Sequence, residues 1–279
     1  MTEILHFSTH YSAEPNSIPV VLIHGWGLNS AVWQPLIIKL TAEFRARFHI
    51  ITVDLPGFGE NHVTKIQPYS LANIAKQIDN VIEQPAIYLG WSLGGLVATE
   101  IALAYPDKVL GLITVASSPR FLEEVMAKSG QEITWPGIKP EVLKAFHQQL
   151  HVDTKKTIKG FLKIQAMGSP HIRDDIKQIS QLVMQHQLPN KATLDDSLSL
   201  LESSDYRDKL AEVKQPFLRL YGSADSLVPK AVINRVASKA TQSNQHIFEQ
   251  ASHAPFISHL DDFNKVLTAW LVEQFSYEC

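Results

Sequence analysis

Ala86-Ile87-Tyr88-Leu89-Gly90-Trp91-Ser92-Leu93-Gly94-Gly95 joins an apolar run to a Gly-x-Ser-x-Gly pattern, and a helical pattern follows over 96–105. The apolar run predicts a buried strand, so the stretch is interpreted as strand, sharp turn and helix with Ser92 at the apex. The glycines fit this geometry because a Cβ at Gly90 or Gly94 would collide with the neighbouring strand or helix. Such a turn can also be a plain packing device. With its strand and helix in place, it predicts an exposed nucleophile.

Bulk composition is that of an ordinary globular chain. The 279 residues are 45% hydrophobic and 19% charged, and the formal charge of −3 gives no reason to expect a nucleic acid partner. The single cysteine, Cys279, leaves no internal disulfide or cysteine-based metal site. The N-terminus lacks the pattern of a signal peptide, and no apolar stretch approaches the ~18 residues of a membrane span. We therefore expect an unprocessed cytoplasmic protein that does not enter a membrane.

Strand and helix patterns alternate through the first 120 residues. Strands are expected near 4–7 and at 19–23, 48–53, 86–89 and 109–116, with helices at 31–44, 70–83 and 96–105. Strand texture returns only at 216–222 and 245–249, before a closing helix at 261–275. This order predicts an α/β fold, a mostly parallel doubly wound sheet.

A helical block interrupts the sheet. We expect a core formed by 1–120 and 206–279, and an all-helical insertion at 121–205. Its predicted helices lie at 121–129, 139–150, 153–167, 171–187 and 193–201. An insertion at this point predicts a lid over the carboxyl edge of the sheet, where open α/β sheets bind their ligands.

A serine hydroxyl needs a histidine base and an orienting acid to become a nucleophile. Asp225 follows the predicted strand 216–222 on a tight turn, and His253 follows the last predicted strand. In hydrolases whose serine lies on such a strand–turn–helix elbow, the serine comes first along the chain, the acid second and the histidine third. Ser92, Asp225 and His253 follow that order. These three residues are therefore the predicted catalytic set.

Each of the two partners has rivals. Asp205 and Asp208 precede their strand, which makes them less suitable than Asp225, although an aspartate on a turn is often only structural. His246 falls within a predicted strand, and His259 lies six residues beyond His253.

The oxyanion donors are expected from two backbone N–H groups. Leu93 begins the helix after Ser92, where unpaired N–H groups meet developing negative charge. Trp26 follows His24-Gly25 after the predicted strand 19–23. Hydrolases with such a serine elbow take their second oxyanion donor from this position.

Three aromatic side chains are candidates for the pocket wall. The Trp26 indole either lines an acyl pocket or packs as ordinary core. Trp91 and Phe256 flank the catalytic residues and are predicted to line the pocket. The loop Asp54-Leu55-Pro56-Gly57-Phe58-Gly59 is interpreted as structural.

Taken together, the motifs resemble those of the α/β-hydrolase superfamily, and more narrowly those of the pimeloyl-acyl-carrier-protein methyl ester esterases of biotin synthesis. They are His24-Gly25-Trp26-Gly27-Leu28-Asn29, Asp54-Leu55-Pro56-Gly57-Phe58-Gly59, Gly90-Trp91-Ser92-Leu93-Gly94-Gly95-Leu96-Val97-Ala98, Trp135-Pro136-Gly137-Ile138-Lys139-Pro140 and His253-Ala254-Pro255-Phe256-Ile257-Ser258-His259. The resemblance implies a serine carboxylesterase that frees the carboxylate of its substrate through an acyl-enzyme, without metal or organic cofactor. We expect a monomer.

The resemblance also implies an acidic acyl-carrier protein as partner, docked on basic residues of the insertion. By position these are Lys156, Arg173 and Lys177, while Gly160 stands where another arginine is expected, with Lys159 beside it. The helical pattern stacks these charges on two faces, which also fits a merely solvated surface.

Other functions remain open on the same scaffold. They are a broad-specificity short-chain esterase, a carbon–carbon bond hydrolase and a hydrolase-fold binding protein without activity. A dehalogenase is disfavoured because its elbow would carry an aspartate in place of Ser92.

Overall fold

A central seven-stranded sheet organises the computed structural model, which describes residues 4–11, 16–128 and 131–275. The strands in chain order are β1 (Phe7–His10), β2 (Ile18–Ile23), β3 (Phe48–Val53), β4 (Ala86–Trp91), β5 (Val109–Val115), β6 (Glu124–Lys128), β7 (Gln131–Trp135), β8 (Phe217–Gly222) and β9 (Asn244–Phe248). The sheet order is β1-β3-β2-β4-β5-β8-β9, with β1 antiparallel to β3 and the other pairs parallel. This arrangement confirms the predicted α/β fold.

Helices cover the sheet and form most of the segment between β5 and β8. They are α1 (Gln34–Lys39), α2 (Ala42–Arg47), α3 (Leu71–Val81), α4 (Leu93–Ala104), α5 (Pro140–Val152), α6 (Thr154–Ala166), α7 (Ile172–Val183), α8 (Lys191–Ser203), α9 (Lys230–Ala237), α10 (Pro255–Ser258) and α11 (Leu260–Gln274). In the described ranges, no helix combines the length and apolar character needed to cross a membrane.

The apolar runs of the strands are explained by burial on both faces. Val21 and Ile23 of β2 belong to the apolar layer under α3 and α4. Val20 and Leu22 belong to the opposite layer, which contains residues of α1 and α11. A strand covered by helices on both sides has no face exposed to water, so its sequence is an unbroken run of hydrophobic residues.

Two predicted elements of the first half differ from expectation, and one helix of the second half was not predicted. The helix predicted at 31–44 is a 3₁₀ turn (Ser30–Trp33) followed by α1 and α2. Thr41 starts α2 anew because its side chain accepts a hydrogen bond from the Phe44 N–H at 3.2 Å. The strand predicted near 4–7 is β1, three residues later, and α9 was not predicted.

The first predicted helix of the insertion, at 121–129, is wrong, and so is the expectation that the insertion is all-helical. The described residues there form the antiparallel hairpin β6–β7, with Ser129 and Gly130 outside them. Long-range contacts hold it: Trp135 donates its indole N–H to the Arg120 carbonyl at 2.9 Å. Arg207 binds Glu124 at 2.6 Å and lies over the Trp135 ring. These contacts override a composition that suits a helix.

The remaining helices of the insertion match their predicted positions closely, and the insertion contacts the core at several points. The Trp26 indole N–H donates to the Leu194 carbonyl at 3.0 Å. Asn29 donates to the Val183 carbonyl at 3.1 Å, and the His253 N–H donates to the Gln165 carbonyl at 3.1 Å. Helices α6, α7 and α8 therefore each bind a core segment that lies at the carboxyl edge of the sheet.

Gly94 is predicted to be a packing-critical position. A Cβ added there would collide with the backbone carbonyls of Ile23 and His24, so Gly94→Ala should lower the free energy of unfolding by about 2–3 kcal/mol. Gly160→Ala on α6 is the matched control, since nothing lies within 4 Å of its Cβ position and the change should add about 0.5–1 kcal/mol. Urea denaturation measures both; equal effects at the two sites would contradict this account.

Candidate active site

Ser92 occupies a strained turn between β4 and α4. Its φ of 55° and ψ of −116° lie in a region that non-glycine residues rarely adopt. The turn is tight because a Cβ on Gly90 would meet the Gly94 carbonyl, and the Ser92 N–H is held by the Val115 carbonyl at 2.9 Å. The sequence therefore builds the nucleophile elbow that the Gly-x-Ser-x-Gly pattern predicts.

His253 lies beside Ser92 although 161 residues separate them. Its Nε2 is 2.9 Å from the Ser92 Oγ. The backbone of His253 is held at both ends, because its carbonyl accepts the Trp91 indole N–H at 2.7 Å and its N–H donates to Gln165. Ser92 and His253 are each only 1% exposed, so the contact is shielded from water.

Asp225 completes the contact on the other side of the imidazole. Its Oδ2 lies 2.8 Å from His253 Nδ1, while its Oδ1 accepts the N–H groups of Leu227 and Val228 at 2.8 and 3.0 Å. The two backbone donors fix the carboxylate on the turn after β8. With Nδ1–H donated to Asp225, the Nε2 lone pair is free to accept the Ser92 hydroxyl proton.

The sequence rivals of these residues have other partners. Asp205 binds Arg207 at 2.6 Å, and Asp208 binds Lys239 at 2.9 Å. His246 packs on Phe248 within β9, and His259 bonds its neighbour Ser258 at 2.8 Å. Among the described residues, no cluster of three or more His, Cys, Asp or Glu side chains is arranged to hold a metal ion.

The two predicted oxyanion donors flank Ser92. Leu93 is the first residue of α4, and a Cβ built on Gly25 would lie 3.2 Å from the Ser92 Cβ, which places the Gly25–Trp26 segment directly beside the elbow. Neither the Trp26 N–H nor the Leu93 N–H donates to a described residue. Two backbone donors next to a reactive hydroxyl can stabilise an oxyanion.

The sequence pattern of the α/β hydrolase fold matches residues 18–260. The chain belongs to the α/β-hydrolase family. A relative from Aeromonas salmonicida, named pimeloyl-[acyl-carrier protein] methyl ester esterase, is 46% identical over 248 residues, covering 89% of this chain and 93% of its own. One of the same name from Photobacterium profundum is 45% identical over 257 residues, covering 92% and 96%. These relatives confirm the narrower family resemblance.

Solved structures agree on the fold. An esterase from Exiguobacterium antarcticum superposes on the hydrolase with a TM-score of 0.79 at 22% identity, covering 95% of this chain and 94% of that one. At this identity the likeness concerns the fold alone.

The three predicted pocket aromatics of the hydrolase are completely buried. The Trp26 ring packs edge-on against Phe161 of α6 at 4.8 Å, so it lies between core and insertion. Trp91 and Phe256 pack against each other at 5.0 Å, and Trp91 also lies 5.8 Å from the His253 ring. Their role as pocket lining stays a prediction.

Gln165 is a polar residue of this region that the sequence interpretation missed. Its side chain is completely buried in α6, yet neither amide atom has a hydrogen-bond partner among the described residues. An unpaired buried amide is costly unless a ligand or water satisfies it. The available clue was a glutamine on the buried face of α6, where it follows Ile158, Phe161 and Leu162.

The predicted docking residues of the hydrolase are exposed cations on two adjacent helices. Lys156 and Lys159 lie on α6, and Arg173 and Lys177 lie on α7. None of the four forms an ion pair with an acid in the described ranges. Gly160 lies on the same helix with open space around it. These positive charges are therefore available to an external anion.

The strain at Ser92 predicts an unusual order of stability. Ser92→Gly and Ser92→Ala both remove the Oγ, but only glycine relaxes at φ 55°. The glycine variant should therefore exceed the alanine variant by about 1 kcal/mol in the free energy of unfolding, the reverse of the usual ranking. Urea denaturation of the two proteins decides, and an alanine variant of equal or higher stability would refute the strain.

Proposed function

We propose that this hydrolase is a serine carboxylesterase that cleaves the methyl ester of pimeloyl-acyl-carrier protein in the synthesis of the biotin precursor. The observation that carries the proposal is the hydrogen-bonded series Ser92, His253 and Asp225, with contacts of 2.9 and 2.8 Å. It lies in a chain whose relatives at 44–46% identity bear the name of that esterase. The geometry of the site supports ester hydrolysis by a serine nucleophile, and the names of the relatives support the choice of substrate.

In the first step Ser92 attacks the ester carbonyl while its proton passes to His253 Nε2. The carbonyl oxygen becomes negative and is held by the N–H groups of Trp26 and Leu93. Asp225 stabilises the imidazolium and keeps the proton on Nδ1. The carbon–oxygen bond to the methoxy group then breaks, and methanol leaves with the proton from Nε2, which leaves an acyl-Ser92 ester.

In the second step water enters the place of methanol. His253 takes one proton from the water, whose oxygen attacks the acyl carbonyl through the same oxyanion site. The bond to Ser92 breaks, and its Oγ recovers the proton from His253. The free carboxylic acid leaves, and neither step requires a metal or organic cofactor.

Removing Ser92 should abolish the reaction, and removing the carboxylate of Asp225 should slow it strongly. Ser92→Ala should lose detectable hydrolysis, and Asp225→Asn should lower kcat by about 10,000-fold with little change in KM, since the imidazole loses its orienting acceptor. Asp208→Asn is the control, because this carboxylate is 97% exposed and binds Lys239. Methanol release from methyl pimeloyl-carrier protein measures all three; hydrolysis by Ser92→Ala would contradict the mechanism.

The same preparation separates the alternative functions. Turnover of p-nitrophenyl esters that exceeds turnover of the carrier-bound ester would favour a broad-specificity esterase, and cleavage of a ring-fission diketone would favour a carbon–carbon hydrolase. A binding protein would leave a fluorophosphonate unreacted. Covalent labelling of wild type but not of Ser92→Ala supports an enzyme.

The carrier protein is proposed to dock on the exposed cations of α6 and α7. The argument rests on their lack of ion-pair partners in the described chain and on their position, because α6 also carries Gln165, whose carbonyl binds the His253 N–H. An acidic protein attracted to this surface would deliver its acyl chain near Ser92. The insertion at 121–205 then serves as both lid and docking platform. Monomeric state and cytoplasmic location stay predictions.

Charge reversal tests the docking surface. The triple variant Lys156→Glu, Arg173→Glu, Lys177→Glu should raise KM for the carrier-bound ester by about tenfold at low ionic strength, because attraction becomes repulsion. KM for a p-nitrophenyl ester should not change. Lys76→Glu, an exposed lysine on α3, is the control. Equal losses on both substrates would show that the surface does not bind the carrier.

A further inference from the structure

His24 is a completely buried histidine that the mechanism above does not use. It follows β2, packs edge-on against Phe58 at 5.4 Å and uses both ring nitrogens in hydrogen bonds. The Leu55 N–H lies 3.0 Å from Nε2, and the Gly25 carbonyl lies 2.8 Å from Nδ1. The ring therefore connects the loop after β3 with the loop beside Ser92.

These two partners fix the tautomer of the ring. A backbone N–H can only donate, so Nε2 must carry a lone pair, and a carbonyl can only accept, so Nδ1 must carry the proton. Burial lowers the pKa of His24 below its ordinary value, and this outweighs the opposing effect of Asp54, whose Oδ1 lies 3.8 Å from Nε2. That carboxylate has its own donors, the Ser30 and Glu60 N–H groups at 2.6 and 2.9 Å.

The Gly25 carbonyl and the Trp26 N–H belong to one peptide group. The structure records no cis bond there, and in a planar trans peptide the C=O and N–H point in opposite directions. Holding the oxygen therefore fixes the direction of the hydrogen. The same peptide runs beside Ser92, since the Gly25 Cβ position is 3.2 Å from the Ser92 Cβ.

We propose that His24 is a positioning residue that aims the Trp26 N–H at the developing oxyanion by holding the Gly25 carbonyl through Nδ1–H. The inference rests on the proposed function, because it requires the Trp26 N–H to act as an oxyanion donor. It also gives the Asp54–Gly59 loop a role in catalysis, since Leu55 of that loop selects the tautomer that His24 needs.

Two amide substitutions divide the contacts of the ring. In His24→Asn the amide nitrogen takes the place of Nδ1 and can still donate to Gly25, whereas Leu55 loses its acceptor. In His24→Gln the amide oxygen takes the place of Nε2 and can still accept from Leu55, whereas Gly25 loses its donor. Both variants remove the ring and one hydrogen bond, so they should lower the urea midpoint to a similar extent.

The kinetics of the two variants should differ. His24→Gln should lower kcat for a p-nitrophenyl ester by about 10- to 100-fold with KM unchanged, part of the loss caused by removing one oxyanion donor. His24→Asn should keep kcat within about threefold of wild type, because its amide still holds the Gly25 carbonyl and so keeps the direction of the Trp26 N–H. Equal kcat losses in both variants, or full activity of His24→Gln, would overturn the proposal.

A measurement on the unmodified protein keeps the proposal testable if the variants do not fold. Long-range ¹H–¹⁵N NMR should show the His24 ring neutral with its proton on Nδ1, and a proton on Nε2 would overturn the proposal. Ser92→Ala distinguishes this failure from that of the proposed function. If wild type lacks esterase activity or Ser92→Ala retains it, the proposed function is wrong, whatever the tautomer.

Discussion

The close approach of α4 to β2 and β4 is the constraint on which the rest of the site depends. Gly94 lies against the carbonyls of Ile23 and His24, and Gly90 lies against the first turn of the same helix. Because no side chain fits between these segments, strand β4 has to turn into helix α4 at the single residue Ser92. Ser92 therefore takes a positive φ. The free-energy cost of this strained conformation is offset by the packing of the surrounding segments.

Asp225 and His253 are brought to the elbow by the ends of two parallel strands. Asp225 follows β8 and His253 follows β9, and both segments end at the same edge of the sheet as Ser92. The Asp225 turn is held by two backbone donors and the His253 backbone by Trp91 and Gln165. Hydrogen bonds thus fix the segments that carry Asp225 and His253, as precise placement of their side chains requires.

The sequence predicted those parts of the molecule whose causes are local. The buried strands were recognisable as apolar runs, the elbow by its glycines, and Asp225 and His253 by their places after strands. The hairpin at β6–β7 could not be recognised because it depends on Arg120 and Arg207, and Arg207 lies 83 positions along the chain from its partner Glu124. The bond between His24 and Leu55 likewise joins residues 31 positions apart. That the Gln165 amide has no partner among the described residues depends on how the insertion packs against the core.

The burial of the reactive pair has a consequence for turnover. Ser92 and His253 are each 1% exposed, and the insertion contributes to this cover because the Gln165 carbonyl of α6 accepts the His253 backbone N–H at 3.1 Å. Any displacement of α6 that opens a path to Ser92 would break this bond, which is one of those that hold the His253 backbone. Access to Ser92 and the placement of the His253 backbone are therefore coupled through this hydrogen bond.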